Sequence, residues 1–190
     1  MKKMKLLTPL LALSLTSTPI QNSLVPKQEF KKSLQNKLNQ EKKILYESTI
    51  KSIFPKLDSI KYTQDIKTWG IAEYWQTPQE TDSLKTGDCE DKAIRIYNLL
   101  TEKGLNVKLR WGKYYSTSII DHVWNEYEIG DTTYIIETAS RNAKIIKKDT
   151  IDTKRSYLTL YMTENSLNKI KNYEKRSGLE LKFKNKIKHQ

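Results

Sequence analysis

The chain of 190 residues contains one cysteine, Cys89, whose position favours nucleophilic chemistry. Apolar residues recur at helical spacing after Asp88-Cys89 and stop at Lys103-Gly104, so the pattern predicts a helix with Cys89 in its first turn. Unpaired backbone amides and the helix dipole stabilise a thiolate there, which would make Cys89 a nucleophile. The alternative is that Cys89 is a small buried hydrophobic residue, a common role for a free cysteine.

A cysteine nucleophile needs a base, and His122 is the candidate because the other histidine, His189, lies in the terminal tail. The residues that follow His122 alternate between apolar and polar, which predicts a strand. Gly130-Asp131 then predicts a tight turn into a second strand that contains Glu137. In that register His122 and Glu137 are diagonal neighbours, about 7 to 8 Å apart at the backbone, so the carboxylate can reach the imidazole. The spacing predicts a Cys89-His122-Glu137 triad.

Each of these residues also has an ordinary structural interpretation. A one-residue slip of the hairpin would move Glu137 to the opposite face, where it would be a solvent-facing strand residue. His122 could be a structural histidine with satisfied hydrogen bonds. Asp88 and Asp91 fit a helix N-cap and its partner three residues later. Their charge raises the thiol pKa, so a reactive Cys89 requires a cationic neighbour.

The helices and strands that must position the triad are predicted from the spacing of apolar residues and from capping and turn residues. Loosely spaced apolar residues from Lys27 to about Ser52 predict one or two amphipathic helices, and Thr77-Pro78 predicts the start of another. After Gly104 the apolar period becomes two, which predicts consecutive strands up to residue 139. A further strand is expected at Tyr157 to Met162, with a helix from near Thr163. The order predicts an α+β fold in which the helix that carries Cys89 packs on an antiparallel sheet.

Composition limits the classes of protein that the chain can belong to. A mean hydropathy of −0.71 with 29% charged residues excludes a multi-span membrane protein. A single cysteine excludes an intramolecular disulfide and a zinc site built on several thiolates, and the usual zinc spacings are absent, so a metal-dependent hydrolase is disfavoured. The length fits a single domain.

Residues 1–25 have the order of a secretory signal peptide. A basic start is followed by a short apolar stretch and then by Ser, Thr and Pro. We therefore expect export to the periplasm or the extracellular space, with a short amphipathic helix or an uncleaved membrane anchor as alternatives. Residues 26–190 are then one domain with a core at about 56–162 and a basic C-terminal helix and strand at 163–190.

The formal net charge of +12 predicts an anionic partner. We expect a protein or peptide substrate that is acidic or associated with the cell envelope, no specific nucleic acid, and membrane contact only through an uncleaved N-terminus. The C-terminal lysines fit the outer face of a half-buried strand, because apolar residues alternate with them. The alternative is a patch that binds an anionic polymer. The alternating apolar residues are Leu179, Leu181, Phe183 and Ile187.

Four segments resemble the transglutaminase-like cysteine peptidase superfamily, and most closely the bacterial transglutaminase-like cysteine proteinases. They are TPQE at 77–80, GDCED at 87–91, DHVWNEY at 121–127 and YIIETAS at 134–140. The match spans residues 75–140. It implies a papain-like core with Cys89 as nucleophile, His122 as general base and Glu137 as orienting acid. The family usually has Asp in the third position, and it includes inactive binding proteins.

The resemblance also implies a calcium site and leaves the oxyanion donor to be found. In the bacterial branch, acids beside the nucleophile bind calcium, which nominates Asp88, Glu90 and Asp91, although capping accounts for two of them. No cofactor is otherwise required. The backbone amide of Cys89 is the expected oxyanion donor, with the side chains of Gln76 and Gln79 as further candidates. Trp124, on the same strand face as His122, is expected to pack over the site.

The sequence therefore predicts an exported thiol hydrolase, a cysteine peptidase that cleaves an amide through a Cys89 thioester. A transamidase with an amine acceptor in place of water needs the same residues. A non-catalytic binding module for an anionic envelope polymer is the alternative from another class.

Overall fold

The computed structural model describes residues 27–119, 121–139, 142–154, 156–160, 162–186 and 188. The predicted signal peptide lies outside these residues. Five α-helices and seven strands follow one another in the described part of the chain. In order they are α1 (Lys27–Asp58), β1 (Lys61–Tyr62), α2 (Asp65–Thr68), α3 (Pro78–Leu84), β2 (Thr86–Gly87), α4 (Cys89–Glu102), β3 (Val107–Tyr115), β4 (His122–Ile129), β5 (Thr132–Glu137), β6 (Lys144–Lys147), a 3₁₀ turn (Lys148–Thr150), β7 (Ser156–Thr159) and α5 (Glu164–Ser177).

The main sheet has five antiparallel strands in the order β6-β5-β4-β3-β7. Gly130 has a φ of 56° in the turn between β4 and β5, and Ile129 pairs with Thr132 as predicted. Only glycine adopts this conformation without a steric cost, so the turn fixes the register of the hairpin. β1 and β2 form a separate parallel pair.

One face of the sheet is covered by α4, and α1 packs against α4 in turn. Residues from both helices and from β3, β4 and β5 form one buried apolar cluster. A smaller cluster on the other face contains Trp124, Ile135 and Tyr157. The predicted α+β fold, with the helix that carries Cys89 on an antiparallel sheet, is confirmed.

The helices at the site begin and end at the capping residues that the sequence predicts. Thr77 and Glu80 form a capping box at the start of α3, and Asp88 and Asp91 form another at the start of α4. The N-terminal region is a single helix that runs past Pro55 to Asp58. Buried apolar side chains on both sides of the proline, Ile53 and Leu57, hold the last turn in place.

The C-terminal residues form an extended segment instead of a regular strand. The N–H of Leu109 on β3 donates to the carbonyl of Lys182, and the N–H of Lys184 donates back to Leu109. Leu181 is buried and Phe183 forms one bridge to Leu109. The predicted alternation is therefore present, although Ile187 lies outside the described residues.

Gly112 on β3 allows two parts of the sheet to approach closely. A Cβ at this position would collide with the backbone carbonyl of Leu158 on β7 and lie 2.8 Å from the Trp124 ring. We expect Gly112→Ala to lower the free energy of unfolding by about 2 kcal/mol, because backbone cannot move aside as a flexible side chain can. Urea unfolding measures the change. Gly70→Ala is the comparison, because a Cβ there meets nothing within 4 Å and its cost is only that of a positive φ, about 1 kcal/mol. Equal losses in both variants would contradict the close approach.

Candidate active site

Cys89 is the first residue of α4 and lies in a cleft of about 640 Å³. The cleft is lined by the apolar side chains of Trp75, Trp111 and Val123 and by residues of α5. The helix start, the cleft and the thiol therefore coincide, as a nucleophile requires.

The thiol itself is in contact with acidic and backbone groups. Cys89 Sγ donates to Glu90 Oε2 at 3.1 Å and lies 4.0 Å from the carbonyl oxygen of Asp121. Burial raises the pKa of the Cys89 thiol well above its usual value, and the charges of Glu90 and Asp88 raise it further. Among the described contacts of the thiol there is no hydrogen bond to His122, so this arrangement holds Cys89 in its protonated form.

His122 and Glu137 form a buried pair at the start of β4 and the end of β5. His122 Nε2 lies 2.8 Å from Glu137 Oε2, and the N–H of Ala139 donates to Glu137 Oε1 at 2.7 Å. Burial raises the pKa of Glu137, but the hydrogen bond and charge of His122 outweigh it, and the pKa is lowered overall. A carboxylate only accepts hydrogen bonds, so Nε2 carries the proton and Nδ1 remains free to accept one.

The chain reversal before β4 brings this pair to the cysteine. Asp121, whose carbonyl faces the thiol, and Val123 both line the cleft, and they are the residues on either side of His122. The side chain of Asp121 accepts a hydrogen bond from the Trp111 indole at 2.8 Å, which holds the start of β4 beside β3. Cys89, His122 and Glu137 thus lie in one region of the fold, and their catalytic role stays a prediction.

The structure separates the other predicted site residues. Trp124 is fully buried, and its ring stacks on the His122 imidazole at a centroid distance of 5.8 Å, so it packs against one face of the histidine ring. Gln76 is buried, its backbone N–H donates to Asp91 Oδ1 at 2.7 Å, and its side-chain amide has no hydrogen-bond partner among the described residues. Gln79 is exposed on α3 and does not line the cleft.

A cluster of buried carboxylates adjoins the nucleophile. Oxygen atoms of Asp65, Asp88 and Asp91 lie within 4.8 Å of one another, and Asp88, Cys89 and Glu90 form a second such group. Asp91 accepts the N–H groups of Gln76 and Asp88, whereas one oxygen each of Asp65 and Asp88 has no hydrogen-bond partner in the described part of the chain. The acids cap α4 and also present unused oxygens to one another.

The pKa values of these acids reflect their confinement. Burial raises the pKa of Asp65 to about 6 and that of Asp91 to about 8, and the Asp88 charge adds to both shifts. Burial also raises the pKa of Glu90 well above its usual value, with Asp88 contributing. A positive charge placed among these carboxylates would offset both the cost of burying their charges and the repulsion between them.

The C-terminal helix holds the segment that precedes the nucleophile. The guanidinium of Arg176 on α5 donates to the Tyr74 hydroxyl and to the Trp75 carbonyl, and it lies 3.3 Å from Glu80. Lys169, about two turns earlier on the same face of α5, pairs with Glu73 at 3.1 Å. These contacts fix residues 73–80 against the cleft.

Sequence reasoning missed Asp65, Tyr157 and Arg176. Asp65 joins the acidic cluster from α2, and Tyr157 on β7 donates to Glu137 at 3.1 Å. All three lie outside residues 75–140, which contain the motifs. Only knowledge of the tertiary packing identifies them.

Comparison with known proteins gives structural neighbours only. No family model matches the sequence, and no curated protein matches it. One solved structure of Legionella pneumophila LapG is 18% identical, with a TM-score of 0.52 over 70% of this chain and 77% of that chain. Its calcium-bound form is 20% identical, with a TM-score of 0.51 over 69% and 80% of the two chains. For the EGTA-treated form the TM-score is 0.46, and the match covers 55% of this chain and 57% of that chain. The likeness to the first two shows a shared fold.

Proposed function

We propose that the protein is a cysteine peptidase that cleaves an amide bond through a Cys89 thioester. The observation that carries this proposal is the buried His122-Glu137 pair, with Nε2 and Oε2 2.8 Å apart, at the strand that borders the single thiol of the chain. The position of Cys89 at a helix start inside a cleft supports it. The fold shared with LapG supports this proposal at a coarse level only.

In the proposed reaction the free Nδ1 of His122 takes the proton from Cys89. The sulfur then attacks the carbonyl carbon, and the imidazolium gives its proton to the leaving nitrogen as the C–N bond breaks. Water, deprotonated by the same imidazole, hydrolyses the thioester and restores the thiol. Glu137 keeps the ring in the tautomer that leaves Nδ1 free and stabilises the imidazolium.

The thiol must leave Glu90 before it can meet the imidazole. We propose that the sulfur is released by rotation about the Cα–Cβ bond of Cys89, with an adjustment at the start of β4, where the Asp121 carbonyl lies 4.0 Å from the sulfur. The backbone N–H of Cys89, at the start of α4, is the proposed oxyanion donor. Gln76 remains a candidate because its amide is without a partner among the described residues.

We further propose that Asp65, Asp88 and Asp91 hold a calcium ion. Hard carboxylate oxygens suit this cation, and the unused oxygens of Asp65 and Asp88 fit the requirement for several ligands. When bound, the ion would supply positive charge beside the acids that border the thiol. The solved structures of LapG include a calcium-bound form.

Calcium is expected to raise the melting temperature of the protein, and EGTA is expected to reverse the rise. The physical reason is that binding to the folded state alone stabilises it, by about 2.7 kcal/mol at a concentration one hundred times the dissociation constant. Differential scanning fluorimetry measures the shift. Asp65→Asn should abolish it, whereas Asp149→Asn, the same change on an exposed residue, should leave it intact. A calcium shift that survives Asp65→Asn would contradict the site.

The substrate that we propose is a protein or peptide, and export to the cell envelope is part of the proposal. In the described residues, the cleft lining contains Asp65, Glu73, Asp88, Glu90 and Asp121 but only one lysine, Lys169. An acidic substrate, predicted from the net charge, would therefore be attracted by the lysine-rich surface outside the cleft while an uncharged stretch occupies the cleft. None of the described helices is both long and apolar enough to cross a membrane.

Fluorescein-labelled casein tests the proposal, with calcium present and dansylcadaverine as a competing amine. Release of small fluorescent peptides identifies a peptidase, and transfer of the dansyl group to casein identifies a transamidase. A peptidyl acyloxymethyl ketone should add once per chain, and the adduct must lie on Cys89 because there is no other cysteine. Absence of cleavage, transfer and adduct would refute the enzyme and favour a binding module for an anionic polymer.

A further inference from the structure

Tyr157 has a backbone conformation that side chains other than glycine rarely adopt. Its φ is 52° in the middle of β7, and Lys85, at the end of α3, is the one other non-glycine residue with positive φ among the described residues. The other pairs of β3 and β7 keep a constant register on both sides of Tyr157. The strand therefore deviates at one residue and then resumes, which indicates a constraint on where this side chain lies.

The hydroxyl of Tyr157 donates to Glu137 Oε2 at 3.1 Å. The same oxygen lies 2.8 Å from His122 Nε2, whereas Oε1 takes the N–H of Ala139. The three side chains are buried, with 4% of Tyr157, 8% of His122 and 1% of Glu137 exposed. The tyrosine and the histidine thus bind one carboxylate oxygen from two different strands.

The ring of Tyr157 also belongs to the aromatic group around the imidazole. It lies 5.4 Å from the Trp124 ring and 5.1 Å from the Tyr114 ring, and both of those rings contact His122. Tyr157 therefore touches the carboxylate and the support of the imidazole together. A tyrosine that only filled space would need neither the unusual φ nor this hydrogen bond.

We propose that Tyr157 is a positioning residue that fixes the Glu137 carboxylate and, through it, the orientation of the His122 ring. Glutamate has one more rotatable bond than aspartate, so its carboxylate needs a second anchor to present one oxygen to the imidazole. The hydroxyl of Tyr157 supplies that anchor from β7, an edge strand of the sheet. The proposal depends on the proposed function for its kinetic effect but not for its structural effect.

Tyr157→Phe tests the proposal because it removes one oxygen and keeps the ring. With the casein substrate, kcat should fall about tenfold with KM unchanged, since a hydrogen bond to a charged group in the catalytic unit is lost. Tyr127→Phe is the matched control. It removes a buried hydroxyl on β4 that has no hydrogen-bond partner in the described residues, and it should leave kcat unchanged.

Nuclear magnetic resonance of ring-labelled histidine gives a readout that needs no substrate. The chain has two histidines, and the His122 signals are those missing in His122→Ala. Loss of a donor to the ionised carboxylate raises the pKa of Glu137, so the low-pH inflection of the His122 signals should move to higher pH in Tyr157→Phe. The groups that face Glu137 are His122 on β4, the N–H of Ala139, Tyr157 on β7 with Tyr114 behind it, and the charge of Lys92 on α4.

The proposal would be overturned if the low-pH inflection of the His122 signals, which reports the Glu137 carboxylate, were identical in wild type and Tyr157→Phe, or if an active enzyme kept the wild-type kcat. If the wild-type protein cleaves nothing, the proposed function fails, and this inflection alone still decides whether Tyr157 positions the pair.

Discussion

Cys89→Ala and His122→Ala are each expected to lower kcat/KM on a cleaved substrate by about four orders of magnitude or more, because each removes a group that handles the reacting atoms. The double variant should be no less active than either single variant, since the two residues act as one unit. Initial rates with labelled casein measure all three variants. Circular dichroism and the melting temperature establish that the variants remain folded.

His189→Ala is the control for the histidine change, because it removes the only other imidazole of the chain. It should retain wild-type activity. Independent, additive losses for Cys89→Ala and His122→Ala would contradict a nucleophile and base that work together. Full activity in His122→Ala would show that another group accepts the thiol proton.

Glu126→Gln is expected to lower the free energy of unfolding by about 3 kcal/mol, the largest stability change that we predict. Glu126 is 1% exposed on β4 and accepts hydrogen bonds from Arg110 at 2.9 Å and from Lys148 at 2.6 Å. The Trp124 indole donates to the same carboxylate at 3.3 Å. Glutamine keeps the volume but leaves two partly buried cations without a counter-charge. Urea unfolding at neutral pH measures the loss.

The effect should depend on pH in a defined direction. Burial raises the pKa of Glu126, but the hydrogen bonds and charges of Lys148 and Arg110 outweigh it and lower the pKa below its usual value of 4.5. A pKa that is lower in the folded state stabilises the protein above the unfolded-state pKa, and the stabilisation disappears as pH falls through the folded-state pKa. Wild type and Glu126→Gln should therefore converge in stability in acid.

Glu128→Gln is the matched control on the same strand. Its carboxylate is 43% exposed and pairs with Lys108 at 3.8 Å and with Lys184, both of them partly exposed, so the change should cost less than about 1 kcal/mol. A loss in Glu126→Gln no larger than that in Glu128→Gln, or one that does not diminish in acid, would refute the buried network as a source of stability.

Local rules were sufficient to predict the parts of the site that are close in sequence. Gly130-Asp131 is a two-residue turn, and counting back from it predicts the pairing that brings Glu137 to His122. The capping residues of the predicted helix indicate that Cys89 lies at the start of α4, as the structure shows. These inferences succeeded because turn type and strand period fix geometry over short distances.

The rest of the site depends on packing between distant segments. Asp65 reaches the acidic cluster because β1 pairs with β2 and brings α2 beside the start of α4. Tyr157 reaches Glu137 because β7 pairs with β3, and its φ cannot be inferred from residue type. Proximity in sequence favours Gln79 as an oxyanion donor, yet its side chain is exposed on α3 and does not line the cleft. The fold class was therefore predictable, whereas the groups that tune the triad were not.

The contacts of Arg176 also make the cleft depend on a segment near the end of the chain. Its guanidinium binds the carbonyl of Trp75 across 101 residues of sequence, and Lys169 on the same helix lines the cleft. In the sequence α5 follows the segments that carry Cys89, His122 and Glu137, so it is the last of these elements to leave the ribosome. We therefore expect a chain truncated before α5 to lack one side of the cleft and the anchor that holds Tyr74 and Trp75.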